Sequence, residues 1–271
     1  MRRFNVVKGH ATMNDFVLVD DPHGLHQITP EIVAAICHRR RGLGADGLIR
    51  VVRAGGVKEW RGEPGLWFMD YFNADGSVAE MCGNGLRVFA RHLVNEQLVD
   101  SVDFDVATRA GVKHVRVGGG GLIATQLGQA EVMADRVRVR TNLGESDATA
   151  VYVGNPHAVS FVEHGQLEQL DLATQPVWKP ASRFPEGANL EFVEELAPGL
   201  LNMRVHERGV GETMSCGTGV VAAAAAYRRR SGHDGPVAVR VPGGELTVEF
   251  DGDAATLTGP AVVIGRGEIW I

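Results

Sequence analysis

The sequence predicts an α+β fold of two pseudo-symmetric, strand-rich halves, each built around one central helix. Three observations carry the prediction. The stretches MCGNGLR at residues 81–87 and SCGTGVV at 215–221 each set a cysteine, Cys82 or Cys216, ahead of a Gly-x-Gly and an apolar helical run. Their spacing, 216 − 82 = 134, is about half of the 271-residue chain. An ungapped shift of 134 lays Gly65-Leu66 on Gly199-Leu200, Met69 on Met203, Cys82-Gly83 on Cys216-Gly217 and Gly85 on Gly219. Strand, turn and helix therefore recur in one register, as in a duplicated unit whose halves each need a helix to cover their strands. The same shift sets Asn73 against Glu207, so the repeat is symmetric in its thiols and asymmetric nine residues upstream.

Taken in order, Phe4–Val7 and Phe16–Val19 read as strands of an opening hairpin. Thr29-Pro30-Glu31 carries the N-cap, proline and early acid of a helix start, and Ile32, Val33, Ile36 and Cys37 follow at helical spacing. Cys37 thus belongs to an apolar face and is set aside as a packed thiol. Leu48–Val52 and Leu66–Phe72 read as strands, the second ended by Asn73-Ala74-Asp75-Gly76, a tight-turn sequence. Beyond Cys82, Leu86, Phe89, Ala90, Leu93 and Val94 describe an amphipathic helix. Short β-type runs fill residues 103 to 161, broken by Gly118–Gly121, which suits either a hairpin or a linker between halves. Gly154-Asn155-Pro156-His157 reads as a turn before a further strand. Strands are expected after Asn189 and over Leu200–His206. The second cysteine helix is apolar all round from Val220 to Tyr227, the composition of a helix enclosed by neighbours, and Gly232 should end it. The tail, from Val237, reads as three or four strands.

Composition excludes several classes of function. With 44% hydrophobic and 22% charged residues the chain is an ordinary globular protein. Its 27 basic and 33 acidic residues give −6, unlike a nucleic-acid binder, and the runs Arg39–Arg41 and Arg228–Arg230 fall where helix ends favour cations. Three cysteines fit a reducing compartment, so cytoplasm is expected. The N-terminal MRRFNVVKGH lacks the apolar core of a signal peptide. Gly219–Ala226 is far short of the roughly 20 residues that span a bilayer.

A cysteine at a helix N-terminus meets unpaired amides and the positive end of the helix dipole, which favour thiolate. Flanking glycines leave the same amides open to a carboxylate. If the halves oppose their thiols, one could take a proton from a chiral carbon while the other returns one to the opposite face, inverting it. A redox pair is the rival reading, although no Cys-x-x-Cys is present. A zinc site lacks clustered ligands, and the glycine-rich segments fit neither the Rossmann nor the P-loop pattern. A non-catalytic binding module with packed helix-end thiols also stays open.

The segments Met13-Asn14-Asp15-Phe16, Phe72-Asn73-Ala74-Asp75-Gly76, Met81-Cys82-Gly83-Asn84-Gly85, Gly154-Asn155-Pro156-His157 and Glu207–Thr213 through Cys216-Gly217-Thr218-Gly219 together resemble the diaminopimelate epimerase family, nearly end to end. The domain crossing is placed near Gly118–Gly121, dividing residues 1–117 from 118–260, and the resemblance implies that each domain is a strand barrel around its helix, with the site in the cleft between them. Residues 261–271 would return as a strand to the first domain. It also implies a homodimer, a small-molecule substrate, no nucleic-acid or membrane partner, and neither cofactor nor metal. By position, Cys82 and Cys216 would be the acid/base thiols, with Glu207 and His157 near the reacting centre. Amides around Gly83-Asn84 and Gly217-Thr218 would hold the reacting carboxylate. Asn14, Asn73, Asn155, Asn189 and Arg208 would bind the substrate's polar ends, Arg208 offering a bidentate fork. Gly47 departs from the family, which often has glutamine there. A proline or hydroxyproline racemase is the nearest alternative, but its usual Cys-Gly-His-Gly is met here by Asn84; a redox-switched binding protein is the alternative outside catalysis.

Overall fold

The computed structural model describes residues 2–271, apart from the side chain of Asp135. The chain divides into two compact units, Met1–Thr125 with Gly259–Ile271, and Gln126–Thr258. In chain order the elements are β1 Arg3–Ala11, β2 Asn14–Asp20, α1 Pro30–Cys37, β3 Gly47–Arg53, β4 Trp67–Asn73, α2 Gly83–Asn95, β5 Asp103–Thr108, β6 Gly111–Val117 and β7 Leu122–Gln129. They continue as β8 Glu131–Thr141, β9 Gly144–Tyr152, β10 Pro156–Phe161, β11 Val177–Lys179, β12 Asn189–Ala197, β13 Leu200–Glu207, β14 Gly211–Thr213, α3 Gly217–Ser231, β15 Val237–Val241, β16 Gly244–Asp251, β17 Ala254–Pro260 and β18 Val262–Trp270.

Strand pairing shows the duplication more fully than the sequence shift does. In the first unit β1–β2 is antiparallel, β2–β3 parallel, β3–β4 antiparallel, β4–β5 parallel and β5–β6 antiparallel. In the second, β9–β10, β10–β12, β12–β13, β13–β15 and β15–β16 repeat that series. Even the flanking strand recurs: β18 returns from the end of the chain to lie antiparallel on β1, where β8 lies on β9. The ladders also fix equivalent residues. Phe16 pairs with Gly47 as His157 pairs with Asn189, and Gly47 then faces Asn73, just as Leu190 facing His206 brings Asn189 level with Glu207.

Each unit wraps one helix. Cys82 caps α2 and Cys216 caps α3, both in extended backbone, and α3 closes on a left-handed Gly232. Helix α3 is buried continuously from Gly219 to Tyr227, its alanines allowing close strand approach. Helix α2 is less amphipathic than its sequence reads. Its polar residues Asn84, Arg87 and His92 are buried along with Leu86, Phe89 and Leu93. His92 Nε2 lies 2.7 Å from Asp20 Oδ1, while its Nδ1 is buried without a hydrogen-bond partner. The run Gly118–Gly121 turns between β6 and β7, which pair antiparallel, so it closes a hairpin within the first ladder. Arg39 lies beyond the end of α1 and pairs instead with Asp15 at 2.8 Å and Asp46 at 2.7 Å.

Gly76 shows how tightly the turn ahead of Cys82 is set. It sits at φ 88°, and a Cβ there would fall 2.5 Å from both Cα and O of Pro30, at the start of α1. Backbone strain and a clash with backbone atoms then act together, so Gly76→Ala should cost about 2–4 kcal/mol of stability. Urea unfolding checks this; a loss below about 1 kcal/mol would show that the turn can shift away from α1.

Candidate active site

In the first unit the site grows from the β1–β2 hairpin. Its tip, Thr12-Met13, holds two non-glycine residues at positive φ, 47° and 64°, as a two-residue hairpin turn of this twist requires. A β-branched residue in that region is strained. Thr12 is buried, and Arg87 Nη2 donates to its Oγ1 at 3.3 Å, which ties the strained tip to α2. The next residue, Asn14, thereby arrives at the end of α2, where the Cys82 thiol donates to its Oδ1 at 3.7 Å.

A polar chain fixes these amides. Arg87 Nη2 donates to Asn84 Oδ1 at 2.7 Å, Asn84 Nδ2 to Asn14 Oδ1 at 3.1 Å, and Asn14 Nδ2 to Asp46 Oδ2 at 2.8 Å. A guanidinium can only donate and a carboxylate only accept, so both ends dictate which way each amide faces. Arg87 is wholly buried and gives its other bonds to Gly83 O at 3.3 Å and Pro260 O at 3.5 Å. Burial pulls its pKa down to about 10, with the nearby Cys82 acting the other way.

Asn73 stands at the end of β4, its Oδ1 accepting from the Tyr71 hydroxyl at 3.1 Å and its Nδ2 donating to Ser77 Oγ at 2.9 Å. Gly47 faces it across the ladder. A Cβ on Gly47 would lie 2.6 Å from Tyr71 Cε2, so the Tyr71 ring fills the space that a longer residue would need.

In the second unit Cys216 is buried at the N-terminus of α3, 3.6 Å from Thr218 Oγ1. Burial pushes its thiol well above the ordinary value, and the carboxylates of Glu207 and Glu191 push it further. Glu207 itself is raised, chiefly by burial, while hydrogen bonds from Thr213 and Cys216 oppose the rise. Behind them His157 has no exposed surface and engages both ring nitrogens, Nδ1 at 2.7 Å from Glu191 Oε1 and Nε2 at 2.9 Å from Asn155 Oδ1. Asn189 Oδ1 accepts from the Arg208 backbone N–H at 2.9 Å, and the Arg208 side chain is exposed.

None of the three cysteines is in a disulfide, and Cys37, buried on α1, has its thiol pushed up to about 11, mainly by burial. Among the described residues no group of three or more His, Cys, Asp or Glu is placed to hold a metal ion, and no helix is long and apolar enough to cross a membrane.

The sequence model of the diaminopimelate epimerase family matches residues 6–133 and 149–264. The chain belongs to the diaminopimelate epimerase family. A diaminopimelate epimerase of Thermobifida fusca is 48% identical over 268 residues, covering 97% of this chain and 96% of the relative. One from Streptomyces coelicolor is 48% identical over 278 residues, covering 98% and 95%. Solved structures extend the fold beyond diaminopimelate epimerases. A PhzF-family phenazine biosynthesis protein of Bacillus anthracis superposes with a TM-score of 0.76 at 17% identity, covering 100% of both chains. A hydroxyproline epimerase of Agrobacterium vitis, with bound trans-4-hydroxy-L-proline, gives 0.69 at 16% identity, covering 99% of this chain and 91% of the other.

For this diaminopimelate epimerase family member, the structure brings Asn14, Cys82, Gly83 and Asn84 together in one unit, and His157, Asn155, Glu207, Cys216, Gly217 and Thr218 around α3 in the other. Asn73 bonds to Tyr71 and Ser77, and Asn189 contacts the backbone of Arg208. Sequence reasoning missed Arg87, Glu191 and Thr213. The first two had a signal: each is a charge set within an apolar pattern, Arg87 inside α2 and Glu191 between Leu190 and Phe192 of β12.

Proposed function

We propose that the chain interconverts LL- and meso-diaminopimelate by two-base proton transfer. One cysteine thiolate takes the α-proton, breaking the Cα–H bond and leaving the electron pair on carbon, delocalised into the adjacent carboxylate. The other cysteine's S–H then delivers a proton to the opposite face, and the reverse reaction exchanges the two roles. The observation that carries the reading is the placing of Cys82 and Cys216 as N-caps of equivalent helices in a duplicated fold. Reaction at both faces requires two such groups, while a covalent nucleophile would require one. In this reading the open amides at Gly83-Asn84 and Gly217-Thr218 hold the reacting carboxylate, and Asn14, Asn73, Asn155, Asn189 and Arg208 hold the rest of the substrate. Glu207, in contact with Cys216, exchanges a proton with that thiol, and His157 supports the same half. The reading includes a cytoplasmic homodimer acting on a small molecule, with no nucleic-acid or membrane partner.

Reduced protein incubated with LL-diaminopimelate in heavy water should place deuterium at one α-carbon and form the meso isomer, and proline should stay unlabelled. Mass spectrometry with chiral chromatography reads both outcomes. Labelling of proline alone would move the chain to the racemases of similar fold, and no labelling of either would remove the enzymatic reading.

A further inference from the structure

Within the duplicated fold, one pair of positions breaks the symmetry in an informative way. The ladders make Phe16 equivalent to His157, since each opens a parallel pairing, with Gly47 and Asn189 respectively. Two residues further along the partner strands, Ile49 is equivalent to Glu191. Both pairs sit under the first turn of the cysteine helix. A Cβ on Gly85 would lie 3.2 Å from Ile49 Cδ1 and 3.5 Å from Phe16, and a Cβ on the equivalent Gly219 would lie 2.6 Å from Glu191 Oε1. The first unit thus closes this place with an apolar pair. The second puts an acid and an imidazole there, both with fully buried side chains.

The fold does not need that pair. The first unit makes the same turn, helix and ladder with Phe16 and Ile49, and a buried ion pair seldom stabilises more than a well-packed apolar pair of similar volume. Glu191 Oε2 is moreover buried without a hydrogen-bond partner, a cost that Ile49 does not carry. Glycine at 219 follows from the carboxylate, because a methyl group would meet it. What the pair does accomplish can be read from the proton count. Asn155 Oδ1 is an acceptor, so His157 Nε2 carries its hydrogen toward it. The Nδ1 to Glu191 Oε1 contact of 2.7 Å then holds one further proton. Neither ring nitrogen has a lone pair turned to solvent, which leaves the imidazole poorly placed to shuttle protons and well placed to hold a neighbour.

We propose that Glu191 is a positioning residue that acts through His157 on Asn155: its carboxylate pins the imidazole, and the imidazole pins the Asn155 carbonyl oxygen. The amide NH2 of Asn155 is then left to donate to the substrate. Asn155 is itself the ladder equivalent of Asn14, which in the first unit is pinned by the chain through Asn84 to Arg87. Each half so orients the same asparagine by a buried relay, the first ending in a cation and the second in an anion. The anion also lies close enough to raise the Glu207 carboxyl and the Cys216 thiol, after burial itself.

The inference rests on the proposed epimerase reaction, and two readouts keep the failure of each distinct. Wild-type turnover of diaminopimelate tests the reaction. For the relay, His157→Phe with Glu191→Ile, the apolar pair of the first unit, should fold with a Tm at or above wild type and raise KM about tenfold. Glu191→Gln should raise KM similarly, and in a double-mutant cycle with Asn155→Ala the two losses should fall well short of additive. Independently of activity, 15N-histidine NMR should show a His157 Nε2–H protected from exchange, with the protection lost in Glu191→Gln. Wild-type KM in the apolar double variant, additive losses in the cycle, or an unprotonated Nε2 would each overturn the proposal. Should the double variant fail to fold, the cycle and the NMR signal decide.

Discussion

Cys82→Ala and Cys216→Ala are each expected to abolish epimerisation of diaminopimelate, with losses toward the upper end of the roughly 10²–10⁴-fold that a positioned acid or base contributes. The reason is geometric. A thiol on one face can remove and return a proton on that face alone, so inversion needs both. The two thiols stand in different surroundings, however, and their losses should differ in kind. Cys82 is partly exposed beside the Asn14 amide and near the Arg87 guanidinium, while Cys216 is buried next to Glu207 and within the field of Glu191. In the proposed reaction the raised Cys216 thiol is the proton donor, and Cys216→Ala removes it for the face it would serve. Chiral chromatography of the product with deuterium counting reads this directly. If either variant retained more than about a tenth of wild-type inversion, a single thiol would be serving both faces and the two-base scheme would be wrong.

The thiols were legible in the sequence because a duplicated chain repeats its punctuation. Cys-Gly-x-Gly ahead of a helix is a local signal, and the ungapped shift needed no knowledge of pairing. The strands and the caps at Thr29 and Gly232 were legible for similar reasons, as turn and cap chemistry is short-range. The supporting residues were hidden because their meaning lies across the sheet. Glu191 has apolar neighbours on β12, and only the parallel pairing with β10 brings it to His157. Arg87 stands out as a charge within α2, but its partners, the hairpin tip and Asn84, are set only by the fold. Gly47 signalled a missing contact, but the Tyr71 ring that takes the space belongs to the neighbouring strand.

Glu207→Gln is expected to lower kcat by about 10²-fold or more while making the protein more stable near neutral pH, and the two effects share one cause. Burial raises the Glu207 carboxyl, and the hydrogen bonds from Thr213 and Cys216 recover only part of that cost. The native chain thus holds this proton to higher pH than the unfolded chain does. Stability linked to this group is complete below the unfolded carboxyl pKa, falls as pH rises toward the raised native value, and stays reduced above it. Glutamine, which never ionises, removes that loss. Melting curves at acid and neutral pH should show wild type and Glu207→Gln close together in acid and the variant ahead at neutral pH. Glutamine also removes the acid that shares a hydrogen bond with the Cys216 thiol, and with it the route for a proton between them in the proposed reaction. A variant that kept full turnover, or that lost stability at neutral pH, would separate the buried charge from the chemistry and leave Glu207 as a packing residue beside Cys216.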